Sequence, residues 1–93
     1  MRDLVLDDFA PAVGEPFALD LGTSSIDLLL EQAQELPKSV RESGSFRLEF
    51  RGPVEPMLPQ SIYPLSRGGE TYELFLVPIG RDGDGTQYEA IFN

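Results

Sequence analysis

Cysteine and histidine are both absent from this 93-residue chain. Without cysteine there is no disulfide and no thiolate chemistry, so the fold holds without covalent staples. Without histidine, the commonest general base and the commonest neutral metal ligand are missing. Positive charge is scarce as well: seven Lys and Arg stand against sixteen Asp and Glu, for a formal net charge of -9. That imbalance argues against nucleic acid or an anionic membrane as partner, because both are repelled at long range. Long apolar runs are lacking too. No segment reaches the roughly 20 residues a membrane-spanning helix needs. Met1 to Asp8 lacks the apolar stretch of a secretory signal, so the cytoplasm is the expected location.

What is present suits one small domain. Hydrophobic residues make up 41% of the chain, with six Phe and three Tyr, enough for one core despite eight Pro and nine Gly. Three runs carry most of the signal: Phe46 to Arg51, Glu73 to Ile79 and Tyr88 to Asn93. In the first, Phe46, Leu48 and Phe50 alternate with Arg47, Glu49 and Arg51, the period of a half-buried strand. Thr71 to Val77 is apolar on both faces, with Tyr72, Leu74 and Leu76 on one and Phe75 and Val77 on the other, so something should cover its second side. The first ten residues or a partner subunit are candidates for that cover. Thr86 to Asn93 closes the chain with Tyr88, Ala90 and Phe92 inward and Ile91 on the second apolar face.

The remaining elements follow from local chemistry. Leu4 to Phe9 reads as a short helical turn ended ahead of Pro11, its apolar side chains forming a lid. Glu15 to Leu21 alternates as a strand, and Gly22 to Ser25 turns the chain. Ile26 to Leu36 is ambiguous. A helix would gather Ile26, Leu29, Leu30, Ala33 and Leu36 on one stripe, as its Glu, Gln, Leu and Ala content favours; a strand would fit the meander formed by its neighbours. Pro37 to Gly44 is a polar loop. Gly52 to Pro59 carries too many prolines for a regular ladder, yet Val54, Met57 and Leu58 give it apolar anchors. Ile62 to Ser66 is a short strand, Arg67 to Glu70 a double-glycine hairpin, and Pro78 to Gly85 the last turn. The expected fold is mainly β: a small antiparallel β-barrel or strongly curved sheet of about six strands behind a short N-terminal helical turn.

Chemistry-bearing patterns are sparse. Asp82 and Asp84, alternating with glycines, place two carboxylates on a tight turn where a hard cation is conceivable. An EF-hand fails, because its twelfth position falls on Asn93 and no helices flank it, and a plain hairpin with solvated acids is the simpler account. Glu73 and Glu89 lie on neighbouring strands near Arg47 and Arg51. Paired carboxylates serve glycoside hydrolysis, but these two are more simply the outward residues of alternating strands, balanced by arginines. The serines have no histidine or cysteine as base, and Lys38 sits in an exposed loop. The glycines from Gly80 to Gly85 lack GK[ST] and carry acids that repel phosphate. Tyr63, Tyr72 and Tyr88 read as amphipathic residues of the core edge. No catalytic set and no cofactor are expected. The positive suggestion is an interface, with Phe75, Val77 and Ile91 on the second sheet face and Met57 and Leu58 presented by the proline-rich loop, contacting a protein partner or another copy of the chain. A small-ligand or weak calcium site at Asp82 and Asp84 is the alternative.

Phe46-Arg-Leu-Glu-Phe-Arg-Gly-Pro53, Leu58-Pro-Gln60, Tyr63, Leu74 to Gly80 and Tyr88 to Asn93, together with Asp8 to Phe17, resemble a bacterial family of short uncharacterised proteins, DUF6916. The resemblance covers nearly the whole chain. It implies a small β-rich protein, and members are sometimes encoded near proteins with phage-tail-collar-like domains, which implies a structural or assembly role in a tail-like or fibre-like system. It also tilts Ile26 to Leu36 towards strand, although Gln32-Ala33-Gln34 weakens the pattern. It carries across no catalytic residue.

Overall fold

A computed structural model describes residues 4–37 and 44–92. Six antiparallel strands close into a barrel: β1 (Pro16–Asp20), β2 (Ser25–Glu35), β3 (Phe46–Gly52), β4 (Ser61–Arg67), β5 (Glu70–Asp82) and β6 (Gly85–Phe92), in the order β1-β2-β3-β6-β5-β4. Two three-stranded meanders are thereby joined along β3–β6 and again along β1–β4. The interior is filled by the alternating side chains that the sequence picks out. Phe46, Leu48, Phe50, Leu74, Leu76, Tyr88 and Ala90 are all buried, with Phe17, Leu19, Leu28, Leu30 and Leu65. Arg47, Glu49 and Glu89 face out. Apolar inside and charged outside is the reverse of a barrel that spans a bilayer, and among the described residues no helix is long and apolar enough to cross one.

The ambiguous segment is a strand. Its inward positions run Leu28, Leu30 and Ala33, because the β2–β3 register shifts between Leu30 and Gln32. This bulge inserts one residue and turns a two-residue step into three, which imitates helical spacing. The polar loop Pro37 to Gly44 lies mostly outside the described residues. β4 and β5 meet in the expected hairpin, and Gly68 and Gly69 hold φ of 61° and 85°, the positive values that a tight two-residue turn demands at both positions. The last turn is shorter than its sequence suggests. β5 continues through Pro78 to Asp82, with a register shift between Pro78 and Gly80 that absorbs the break in alternation.

Both ends of the barrel are plugged. At one, the expected helical turn is present as a single-turn 3-10 helix at Leu6–Asp8, followed by a second at Ala10–Ala12. The first is pinned because the Asp8 carboxylate accepts from Val5 N–H at 2.7 Å while Asp8 N–H donates to Val5 O at 3.0 Å. Phe9 is fully buried, with ring centroids 5.1 Å from Tyr72, 6.0 Å from Phe46, 6.2 Å from Phe92 and 6.3 Å from Phe17. The N-terminal segment is thus a stopper in the mouth of the barrel, and its described residues give the outer face of β5 no cover, Phe75 being exposed. At the other end the proline-rich loop folds Leu58 inward, and its N–H donates to the buried Tyr88 hydroxyl at 2.9 Å.

The two joints between the meanders differ. β3 and β6 pair at seven positions, from Phe46 opposite Phe92 to Gly52 opposite Thr86, whereas β1 and β4 pair only at Ala18–Ser66 and Leu19–Leu65. Prolines limit the short joint. The hairpin at Arg67–Glu70 fixes the alternation of β4, so the missing N–H of Pro64 faces β1. Leu30 N–H donates to Glu15 O, and the same alternation turns the missing donor of Pro16 towards β4.

Candidate functional site

Among the described residues, the outer surface carries a concentrated apolar feature. The hairpin register sets Ile62 opposite Phe75, and the β5–β6 register, carried two residues beyond its last pair, brings Phe75 level with Ile91. Ile62, Phe75 and Ile91 are 60%, 51% and 50% exposed, large values for side chains of this size in one row. Strand geometry explains why they are apolar yet not in the core. Leu74 and Leu76 of the same strand take the inward positions, leaving Phe75 no direction but out. Val77, next along that face, is half-buried.

The row surrounds a cleft of about 450 Å³ lined by Ile62, Glu73, Phe75, Ala90, Ile91 and Phe92. It lies where two strands part. The β5–β6 ladder ends at Val77 opposite Glu89, although β5 stays paired to β4 as far as Glu70 and β6 to β3 as far as Phe92. Through the split the cleft reaches Ala90 and Phe92, residues of the inward face, and Phe92 stacks on Phe46 at 4.4 Å and 10°.

The other residues singled out by sequence fall elsewhere. Met57 is 50% exposed, but Leu58 is only 6% exposed and belongs to the core, so the loop does not present the two together. The physical reason is the Tyr88 hydroxyl, which draws the Leu58 N–H inwards. Asp82 and Asp84 occupy the tip of the β5–β6 hairpin. Asp82 Oδ1 accepts from Asp84 N–H at 2.8 Å and lies 3.4 Å from the Arg51 guanidinium. The Asp84 N–H, helped by Arg51, holds the Asp82 carboxyl below its ordinary range. That carboxylate is already used within the turn, and among the described residues no group of three or more acidic side chains gathers as a metal site would require. Glu73 and Glu89 are not cross-strand partners, since Glu73 faces Pro64 and Glu89 faces Val77. Glu89 instead bonds Arg47 at 2.8 Å, and Glu49 bonds the same guanidinium at 3.2 Å. These bonds, that of Glu89 foremost, raise the Arg47 pKa.

Ile62, Glu73, Ala90 and Phe92 are the members of the site that sequence reasoning did not assemble. The signal was available for the first: a two-residue turn between Arg67 and Glu70 places Ile62 opposite Phe75 by counting alone. The parting of β5 from β6 left no such signal. A larger groove of about 610 Å³ lies over the β1–β4 joint, lined chiefly by hydroxyl residues such as Thr23, Ser25, Ser66 and Thr71. Its carboxylate, Asp20, is taken by Gly22 N–H at 2.8 Å, and the groove lacks the apolar anchors of the smaller cleft.

The model of the family described as "Domain of unknown function (DUF6916)" matches residues 4–92. No curated protein and no solved structure matches the chain.

Proposed function

Since the chain belongs to the DUF6916 family, whose description carries no activity, we propose a function from the barrel's own surface: a non-enzymatic protein-interaction domain that docks through the outer face of β5. The observation that carries this reading is the row Ile62, Phe75 and Ile91, half or more exposed around a cleft and left uncovered by the described residues of the N-terminal segment. Exposed large apolar residues grouped in this way serve contact more often than chemistry. The side chains beside them fit the same reading, since Glu89 and Glu49 are both held by the Arg47 guanidinium, as structural ion pairs are. An accessory role in a tail-like or fibre-like assembly is the proposed setting, supported by the gene neighbourhood that the family resemblance implies.

An affinity capture from the native host tests this, using the tagged protein, Phe75→Asp and Ile79→Asp. Ile79 is 49% exposed but lies further along the β5–β6 ribbon. Recovery of tail or fibre subunits by the parent and Ile79→Asp, lost with a folded Phe75→Asp, is the expected result. Equal recovery by all three, or none by the parent, would sink the proposal.

A further inference from the structure

The charge around the cleft says what kind of partner fits it. Arg47, Arg51, Arg67 and Arg81 all lie within 3.4 Å of carboxylates of the same barrel: Glu89 and Glu49, Glu31 and Asp82, Glu15, and Glu55 respectively. Glu73 lines the cleft and has no ion-pair partner among the described residues. Arg47 stands opposite Ile91 in the ladder, but it is held by Glu89 and Glu49 and does not serve Glu73. The apolar row is therefore edged by an uncompensated anion, on a chain whose net charge is -9.

A second copy is a poor occupant of such a surface. A two-fold contact presents the same patch from both sides, so each copy buries its Glu73 beside the other's acidic surface, and the net charges repel throughout the approach. Resting on the interaction reading above, we infer that the cleft takes an extended cationic segment of another protein, with a large apolar residue seated among Ile62, Phe75 and Ile91 and a lysine or arginine two positions away over Glu73. The spacing follows from β5 itself. Glu73 and Phe75 are alternate residues of one strand face, about 6.6 Å apart along it, and an extended segment repeats its side chains at the same interval. The split between β5 and β6 admits the apolar tip, and Glu73 sets the register and sign of its neighbour.

The test uses the full chain labelled with nitrogen-15 and three blocked peptides. The first is Gly-Ser-Lys-Thr-Leu-Thr-Lys-Ser-Gly, the second has both lysines replaced by glutamate, and the third has leucine replaced by serine. The expected result is that the first shifts the amides of Glu73, Phe75 and Ile91, while the others bind at least about tenfold more weakly. Glu73→Gln should weaken the first peptide by about threefold at low salt and remove most of its salt dependence. The inference falls if the acidic peptide binds equally well, if shifts scatter over Asp20 and Asp27 instead of the cleft, or if no peptide shifts those amides. It also falls if sedimentation shows a dimer that Phe75→Asp dissolves. A partner captured from the host and lost with Phe75→Asp, yet indifferent to Glu73→Gln and to salt, would retain the interaction reading and reject the cationic segment.

Discussion

Replacing Tyr88 by phenylalanine isolates a single atom in the core. Its ring is fully buried between β3 and the proline-rich loop, and its hydroxyl accepts the Leu58 N–H at 2.9 Å. Tyr88→Phe keeps the ring and opens no cavity, so the cost is that of a main-chain donor left without an acceptor. Leu58 is 6% exposed, which gives water little access to repair the loss. A buried unsatisfied donor costs about 1–3 kcal/mol, and in a domain of this size each kcal/mol lowers Tm by about 4–8 °C. A loss near 2 kcal/mol is therefore about 8–16 °C in Tm. Urea and thermal unfolding followed by circular dichroism would measure it, with amide exchange at Leu58 as the local readout. Tyr63→Phe is the control, because the Tyr63 hydroxyl donates to Pro59 O at an exposed position and its loss should stay within about 0.5 kcal/mol. Equal stabilities for the two variants, with Leu58 exchange unchanged, would refute the claim that this hydrogen bond draws the loop into the barrel.

Other perturbations probe the remaining parts. Phe9→Ala removes the stopper from among four aromatic rings and should cost about 3–5 kcal/mol, seen as a large fall in the urea midpoint; a fall equivalent to less than about 1 kcal/mol would mean the segment is only loosely seated. Gly85→Ala should destabilise more than Gly52→Ala in the same assay. Gly85 holds φ of 144° and an added methyl there would strike the Gly52 carbonyl, whereas at Gly52 it meets only side-chain atoms, Leu28 Cδ2 and the Tyr88 ring; the opposite order would refute the packing argument. The Asp82 carboxyl should titrate below the ordinary aspartate value when followed by carbon-13 shifts. Its folded pKa is depressed, so its contribution to stability is present above the unfolded value and disappears as pH falls through the folded one, below about pH 4. Asp82→Asn should remove that part of the acid dependence, and a midpoint at or above the usual value would contradict the hairpin-tip geometry.

The legible parts of the sequence were those where a strand has one wet face and no bulge. Phe46 to Arg51 and Thr86 to Phe92 meet that condition, and their inward residues could be listed from period alone. β2 and β5 break it. The extra residue near Glu31 made a strand look like a helix, and the one near Ile79 made the end of a strand look like a turn. A barrel was within the expectation, but its strand order was not: pairing β3 with β6 and β1 with β4 depends on contacts distant in sequence, which alternation does not encode. The outward set Phe75, Val77 and Ile91 was visible because apolar residues stood on both faces. Leu58 was misplaced because its position is set by a hydroxyl thirty residues away in sequence, and no local pattern announces such a partner.

The uneven joints of the barrel determine how the cylinder opens. With two residue pairs between β1 and β4 and seven between β3 and β6, the lowest-energy opening unrolls the wall along the first joint and leaves a six-stranded ribbon otherwise intact. Its two new edges are complementary, since Ala18 and Leu19 on one find their partners Ser66 and Leu65 on the other. Two unrolled molecules can therefore pair edge to edge, β1 of one against β4 of the other, using contacts already encoded in the monomer. Pro16 and Pro64 keep that pairing short by withholding donors on either side of the two pairs. A substitution that restored a donor at Pro64 would lengthen the seam and, in the same stroke, lengthen the template by which one chain captures the next.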